Sequence, residues 1–127
     1  MARLHEYQGK AILAANGFKI PRGRAAATAD EAIAIAREFE GEVVIKIQAW
    51  TTGRAGIGAF ARKPADVRGH AARMLAMKVG QFPVEAVLVE EKIAIEREFF
   101  LSFAIDDACA IACFRGSVSA IIRLTAC

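Results

Sequence analysis

Between Gly41 and a glycine-bearing stretch lies the run Val43-Val44-Ile45-Lys46-Ile47-Gln48. β-branched residues bounded by glycines predict a strand, and one this apolar predicts a buried strand that neighbouring elements must cover. The flanking sequence supplies those elements. Upstream, Thr28-Ala29-Asp30-Glu31 has the capping-box pattern, in which the threonine side chain accepts from the third helical amide and the glutamate reaches back to the cap amide. The helix it opens carries an apolar stripe of Ala32, Ile35, Ala36 and Phe39, and Gly41 is expected to stop it in the left-handed conformation. Leu4, Tyr7, Ala11 and Ile12 recur at helical spacing before Asn16-Gly17, which predicts an earlier helix over 4–16. Pro21 then pushes Ile20 out of the helical region.

Downstream, residues 49–58 lack hydrophobic periodicity and are expected to form a loop. Pro64 at a first helical position, with Val67, Ala71, Met74 and Leu75 as the stripe, predicts a third helix closed by Gly80 and Pro83. Val84 to Glu91 is a second predicted strand, and Phe99, Leu101, Phe103 and Ile105 alternate with their neighbours in a third. Asp106-Asp107 reads as a turn, Cys109 to Phe114 as a fourth strand and Arg115-Gly116-Ser117 as a further turn. This alternation predicts an α/β fold, an α+β sandwich built in layers, and 127 residues suit one compact unit.

Charge and cysteine usage narrow the partners. The 17 basic and 14 acidic residues are interspersed, and the net charge of +3 gives no dedicated nucleic-acid face. Cys109, Cys113 and Cys127 are odd in number and confined to the end of the chain, unlike the even, distributed set of a secreted disulfide framework. The opening residues contain no apolar signal region, and no run approaches the ~20 apolar residues of a membrane span. A protein of the cytoplasm, or of an organelle matrix after processing, with no membrane partner is the resulting expectation.

Lys46 is the chemical anomaly, because an unpaired ammonium inside an apolar strand is costly and something anionic, or solvent, must meet it. An edge strand with an outward-reaching lysine is one reading. The other takes Gln48 on the same face and the following loop, with Gly53, Arg54 and Gly56, as a cradle for phosphate oxygens. That loop lacks the Gly-Lys-Ser/Thr ending of a Walker A loop and the Gly-x-Gly-x-x-Gly order of a dinucleotide fingerprint. Glu90, Glu91 and Glu98 read either as solvated strand ends paired with Lys92 or Arg97, or as a hinge strand whose backbone meets a base edge, followed by a carboxylate that accepts from ribose hydroxyls. Spacing leaves both open.

Leu4-His5-Glu6-Tyr7-Gln8 followed by Lys10 resembles the Leu-His-Glu-Tyr-Gln-x-Lys opening of succinate-CoA ligase beta subunits and their malate-CoA ligase and ATP-citrate lyase relatives, which are ATP-grasp enzymes. Four further segments are similar to that family in order and spacing: Val43 to Gln48, Gly53-Arg54-Ala55-Gly56, Val87-Leu88-Val89-Glu90, and Ile95 to Leu101. The resemblance implies that residues 1–105 form the amino-terminal, nucleotide-binding subdomain of a truncated ATP-grasp fold, with 106–127 a divergent tail of the same compact unit. It further implies that Lys46 contacts ATP phosphates, that the amides of Gly53, Arg54 and Ala55 line the loop over them, that Glu90 and Ile93 sit at the adenine, and that Glu98 holds the ribose.

The activity implied is acid-thiol ligation of the tricarboxylic acid cycle type. ATP activates a carboxylate through a phosphohistidine on an alpha subunit or alpha-like domain, and that partner passes the acyl group to CoA. His5 and His70 do not match the phosphohistidine, so no catalytic residue is expected here, and this chain alone is expected to be inactive. Magnesium ligands are expected in a carboxyl-terminal lobe. The chain departs from the family pattern at Thr51-Thr52, which replace small residues, and at Ala55 and Gly56, where Gly and Lys are usual. After residue 105 it runs through Cys109 and Cys113 in place of the family's Ser-x-x-Gly-Gly segment, as either an interrupted reading frame or a trimmed natural domain would. Those two cysteines read as part of an apolar strand rather than a metal site. The alternative is a non-catalytic interaction or oligomerisation module derived from this fold.

Overall fold

A computed structural model describes residues 4–50, 58–96, 101–106, 111–116 and 120–124. The chain divides into two compact units, Met1–Ile93 and Ala94–Cys127. The first unit runs α1 (Glu6–Ala15), β1 (Gly23–Ala26), α2 (Ala29–Ala36), β2 (Val43–Gln48), β3 (Gly58–Ala61), α3 (Pro64–Leu75), β4 (Lys78–Val79), β5 (Phe82–Pro83) and β6 (Ala86–Glu91). Its main sheet has the order β1-β6-β2-β3, with every neighbouring pair antiparallel.

Strand alternation sorts the sheet into two faces. On one, Val43, Ile45, Ile47, Val87 and Val89 are buried together with Ala32, Ile33, Ile35 and Ala36 of α2 and Val67, Ala71 and Met74 of α3. Ile45, Val87 and Val89 are wholly enclosed, so α2 and α3 cover this face and make the core. The register puts Lys46 opposite Leu88 and Val44 opposite Glu90 on the other face, where Lys46 and Glu90 are diagonal neighbours. In the same rows Ala25 and Gly58 flank Leu88 and Lys46, and Gly23 lies beside Glu90.

The capping box forms as the sequence predicts: the Glu31 amide donates to Thr28 Oγ1 at 3.2 Å, and the Thr28 amide donates back to Glu31 Oε2 at 3.3 Å. α2 nevertheless ends at Ala36, with Arg37 still right-handed. Gly41 is therefore not its stop. Among the described glycines only Gly17 and Gly80 have positive φ, at 83° and 62°. Gly17 follows α1 as expected, whereas Gly80 turns the β4–β5 hairpin, a small sheet that periodicity does not foresee. β1 and β3 are likewise additions, four residues each, too short to show alternation. α1 brings a larger difference, since its predicted apolar stripe is not packed: the helix has no buried residue, and Ile12 and Leu13 are exposed.

In the second unit β7 (Leu101–Asp106), β8 (Ile111–Gly116) and β9 (Ala120–Leu124) form an antiparallel meander. Arg115 and Gly116 belong to β8 rather than to a turn, and Asp106 ends β7. Residue 105 falls inside β7. Asp107 and Cys109 lie outside the described residues, and Cys113 is on β8.

Candidate functional site

The anion that Lys46 requires is supplied twice. Its amine donates to Glu90 Oε2 at 2.9 Å from the next strand and to Glu6 Oε1 at 2.9 Å from α1. Lys10, one turn after Glu6, completes a ring: its amine lies 3.0 Å from the same Glu6 Oε1 and donates to the second Glu90 oxygen, Oε1. Two ammonium groups are thus bridged by two carboxylates, one buried and one not. The Glu90 side chain is 3% exposed, whereas that of Glu6 is 33% exposed and that of Lys46 35%.

Local structure explains the asymmetry. Glu90 is the penultimate residue of β6, between β1 and β2, and β1 can approach it because Gly23 has no side chain. A Cβ at residue 23 would lie 2.4 Å from the Val89 carbonyl oxygen and 2.6 Å from Glu90 Cγ. Glu6, by contrast, sits in the first turn of a helix held to the sheet through its polar groups. The His5 ring, 4% exposed, tilts against Trp50 at 3.8 Å between centroids, and its Nε2 lies 3.3 Å from Glu85, which also accepts from Trp50 Nε1 at 3.0 Å.

Electrostatics follow from this mixture of burial and pairing. Burial works against the charged Lys46 amine, but the hydrogen bonds and charges of Glu90 and Glu6 outweigh it and hold its pKa above the ordinary lysine value. For Glu6 burial pulls upward, and bonding to Lys46 and Lys10 outweighs it, holding the carboxyl below the usual range.

Of the residues expected at a nucleotide site, Lys46 and Glu90 are in direct contact. Ile93 lies just past β6 and is half exposed. Gly53, Arg54, Ala55 and Glu98 lie outside the described residues. Glu90 is paired with neither Lys92 nor solvent: Lys92 binds Glu42 at 2.5 Å, and it is Glu91 that takes a surface cation, Arg22, at 2.8 Å. Gln48 is fully buried, its amide nitrogen donating to the Ile47 carbonyl at 3.0 Å, while its Oε1 has no partner among the described residues. Sequence reasoning assigns no site role to Glu6, Lys10 or Gly23. Glu6 and Lys10 are four apart on one helix face, and that spacing was the available signal.

The ring suits an oxyanion, because a bridging carboxylate oxygen already occupies the point between two ammonium groups. It does not suit magnesium. No group of three or more potential metal ligands exists among the described residues, and both carboxylates here are spent on lysines. Nor is any described helix long and apolar enough to cross a membrane.

Comparison with known proteins agrees with the fold. The sequence model of a family described as ATP-grasp domain matches residues 3–119. A Chloroflexus aggregans protein, succinate-CoA ligase [ADP-forming] subunit beta, is 41% identical over 106 residues, covering 82% of this chain and 28% of its own length. The Geobacter sulfurreducens protein of that name is 36% identical over 128 residues, covering 91% of this chain and 33% of its own. A Thermus thermophilus relative, succinate-CoA ligase [GDP-forming] subunit beta, is 39% identical over 107 residues, covering 83% and 28%. The chain therefore spans about a third or less of the curated relatives it matches. Among solved structures, a dinucleotide-forming acetyl-coenzyme A synthetase 1 of Ca. Korarchaeum cryptofilum, bound to coenzyme A, acetyl-coenzyme A and a phosphorylated phosphohistidine segment, superposes with a TM-score of 0.71 at 22% identity. That match covers 90% of this chain and 52% of the other, a likeness of fold.

Proposed function

The chain belongs to the ATP-grasp domain family, and on that premise we propose that it is the nucleotide-binding portion of an acid-CoA ligase, receiving the phosphates of ATP at Lys46. One observation carries this reading: the Lys46 amine is held charged on the sheet face that the core helices leave uncovered, and one of its two partners is an accessible carboxylate. A phosphate oxygen has the charge and geometry to take that place. In this reading Glu90, whose carboxylate also fixes Lys46 from below, sits with Ile93 at the adenine, the amides of Gly53, Arg54 and Ala55 close over the phosphates and Glu98 accepts from the ribose.

The assembly would activate a carboxylic acid with ATP through a phosphohistidine on a partner subunit and pass the acyl group to CoA. Names of relatives at 36–41% identity support that class. Magnesium would be held by residues other than those described here.

Titration calorimetry with magnesium-free ATP is the test. Wild-type chain is expected to bind, and Lys46→Ala to bind at least about tenfold more weakly, the equivalent of ~1.4 kcal/mol. Equal affinity would remove Lys46 from the phosphate site.

A second reading, a non-catalytic interaction module, is favoured by one observation: Leu4, Ile12, Leu13 and Phe18 are exposed on and around α1. Size-exclusion chromatography separates the two, because a nucleotide-blind oligomer fits only the module.

A further inference from the structure

The Lys46 ring contains a cation and an anion with no assigned role, Lys10 and Glu6. We propose that Lys10 is a second phosphate-binding cation of the nucleotide site, and that Glu6 stands in for a phosphate oxygen until ATP displaces it. The proposal rests on the reading of Lys46 given above and adds two residues to it.

Geometry carries the argument. One atom, Glu6 Oε1, is 2.9 Å from Lys46 Nζ and 3.0 Å from Lys10 Nζ. A single oxygen shared by two ammonium groups is the arrangement that a terminal phosphate oxygen adopts between paired cations. Beneath it the two oxygens of Glu90 go one to each lysine, so the spacing of the amines is fixed from the buried side and does not depend on Glu6. The exposed bridge is exchangeable and the buried bridge is not, since the Glu6 side chain is 33% exposed and that of Glu90 3%.

Charge points the same way. With both carboxylates in place the ring is neutral and attracts an anion weakly. Once Glu6 swings out, two ammonium groups face one buried carboxylate, and the slot carries a net positive charge for the phosphate. Such a substitution is feasible because the Glu6 side chain is itself a third exposed and α1 contributes nothing to the hydrophobic core, so that side chain can turn outward while buried His5 keeps the start of the helix in place.

Removing either charge should act on affinity in opposite directions. Lys10→Gln takes away a phosphate partner, whereas Glu6→Gln takes away the competitor. If the two residues merely anchored α1, each substitution would loosen the same contact and both would move affinity the same way. Titrations of the full chain with ATP and, separately, with inorganic tripolyphosphate distinguish these cases.

Against wild type, the proposal expects Lys10→Gln to bind both ligands about fivefold to tenfold more weakly, Lys10→Arg to restore most of the loss, and Glu6→Gln to bind both about threefold or more tightly. Circular dichroism confirms that each variant is folded before titration. Weaker binding by Lys46→Ala together with unchanged binding by Lys10→Gln or Glu6→Gln would overturn the proposal and leave the Lys46 reading intact. Changes of the same sign in Lys10→Gln and Glu6→Gln would also overturn it. Unchanged binding by Lys46→Ala would overturn both.

Discussion

Lys46 shows how far a single residue can be read. Its place in an apolar strand requires an anionic partner, and the structure supplies Glu90 and Glu6. The identity of those partners was not legible, because Glu90 comes from a strand 44 residues later and Glu6 from a helix 40 residues earlier. Linear spacing carries no information about such contacts. A pH dependence follows at this scale. The folded-state pKa of Glu6 is depressed, so its contribution to stability is present above the unfolded value and is lost as pH falls through the folded one. Lys46 is raised, so its contribution is present below the ordinary lysine value and is lost as pH rises through its folded value. Thermal melts should therefore show Glu6→Gln less stable than wild type near neutrality, the two curves converging as pH falls through the depressed folded-state pKa of Glu6. A constant offset across the acid range would show that the loss is one of packing, not charge.

Whole elements were legible where they are long and strongly patterned. The Thr28 capping box, the run Val43 to Gln48 and the Pro64 helix start all appear where the sequence puts them. Thr28→Ala should accordingly cost about 1 kcal/mol in chemical denaturation, the worth of an exposed N-cap. The strands β1, β3, β4 and β5 were missed because two to four residues cannot show a period. Gly41 illustrates a different failure. Glycine near a helix end is a common stop, but α2 terminates through right-handed residues before reaching it. Gly23 matters instead, for a reason only packing reveals. Its neighbour across the sheet is Glu90, and any side chain would strike the β6 backbone. Gly23→Val is expected to destabilise by about 2 kcal/mol or more through overpacking, and to weaken nucleotide binding by displacing Glu90. Normal stability in urea would contradict that tight approach.

On the scale of the molecule, the layered α/β architecture was legible from alternating patterns, and the family match over residues 3–119 agrees with the ATP-grasp assignment. The division at Ile93 was not, because a boundary between units is a property of contacts rather than of composition. Since the first unit has its own buried core, residues 1–93 are expected to unfold cooperatively when produced separately, with a melt that lacks only the amplitude of the second unit. A non-cooperative melt would contradict the independence of that core. The central claim concerns the charged face of that unit, and lysine side-chain NMR addresses it most directly. With the lysine ε-positions isotopically labelled, ATP is expected to shift the Lys46 and Lys10 resonances in parallel at saturable concentrations while Lys19, Lys63 and Lys78 stay fixed. ATP-dependent shifts confined to those other lysines, or no shift at Lys46, would contradict it.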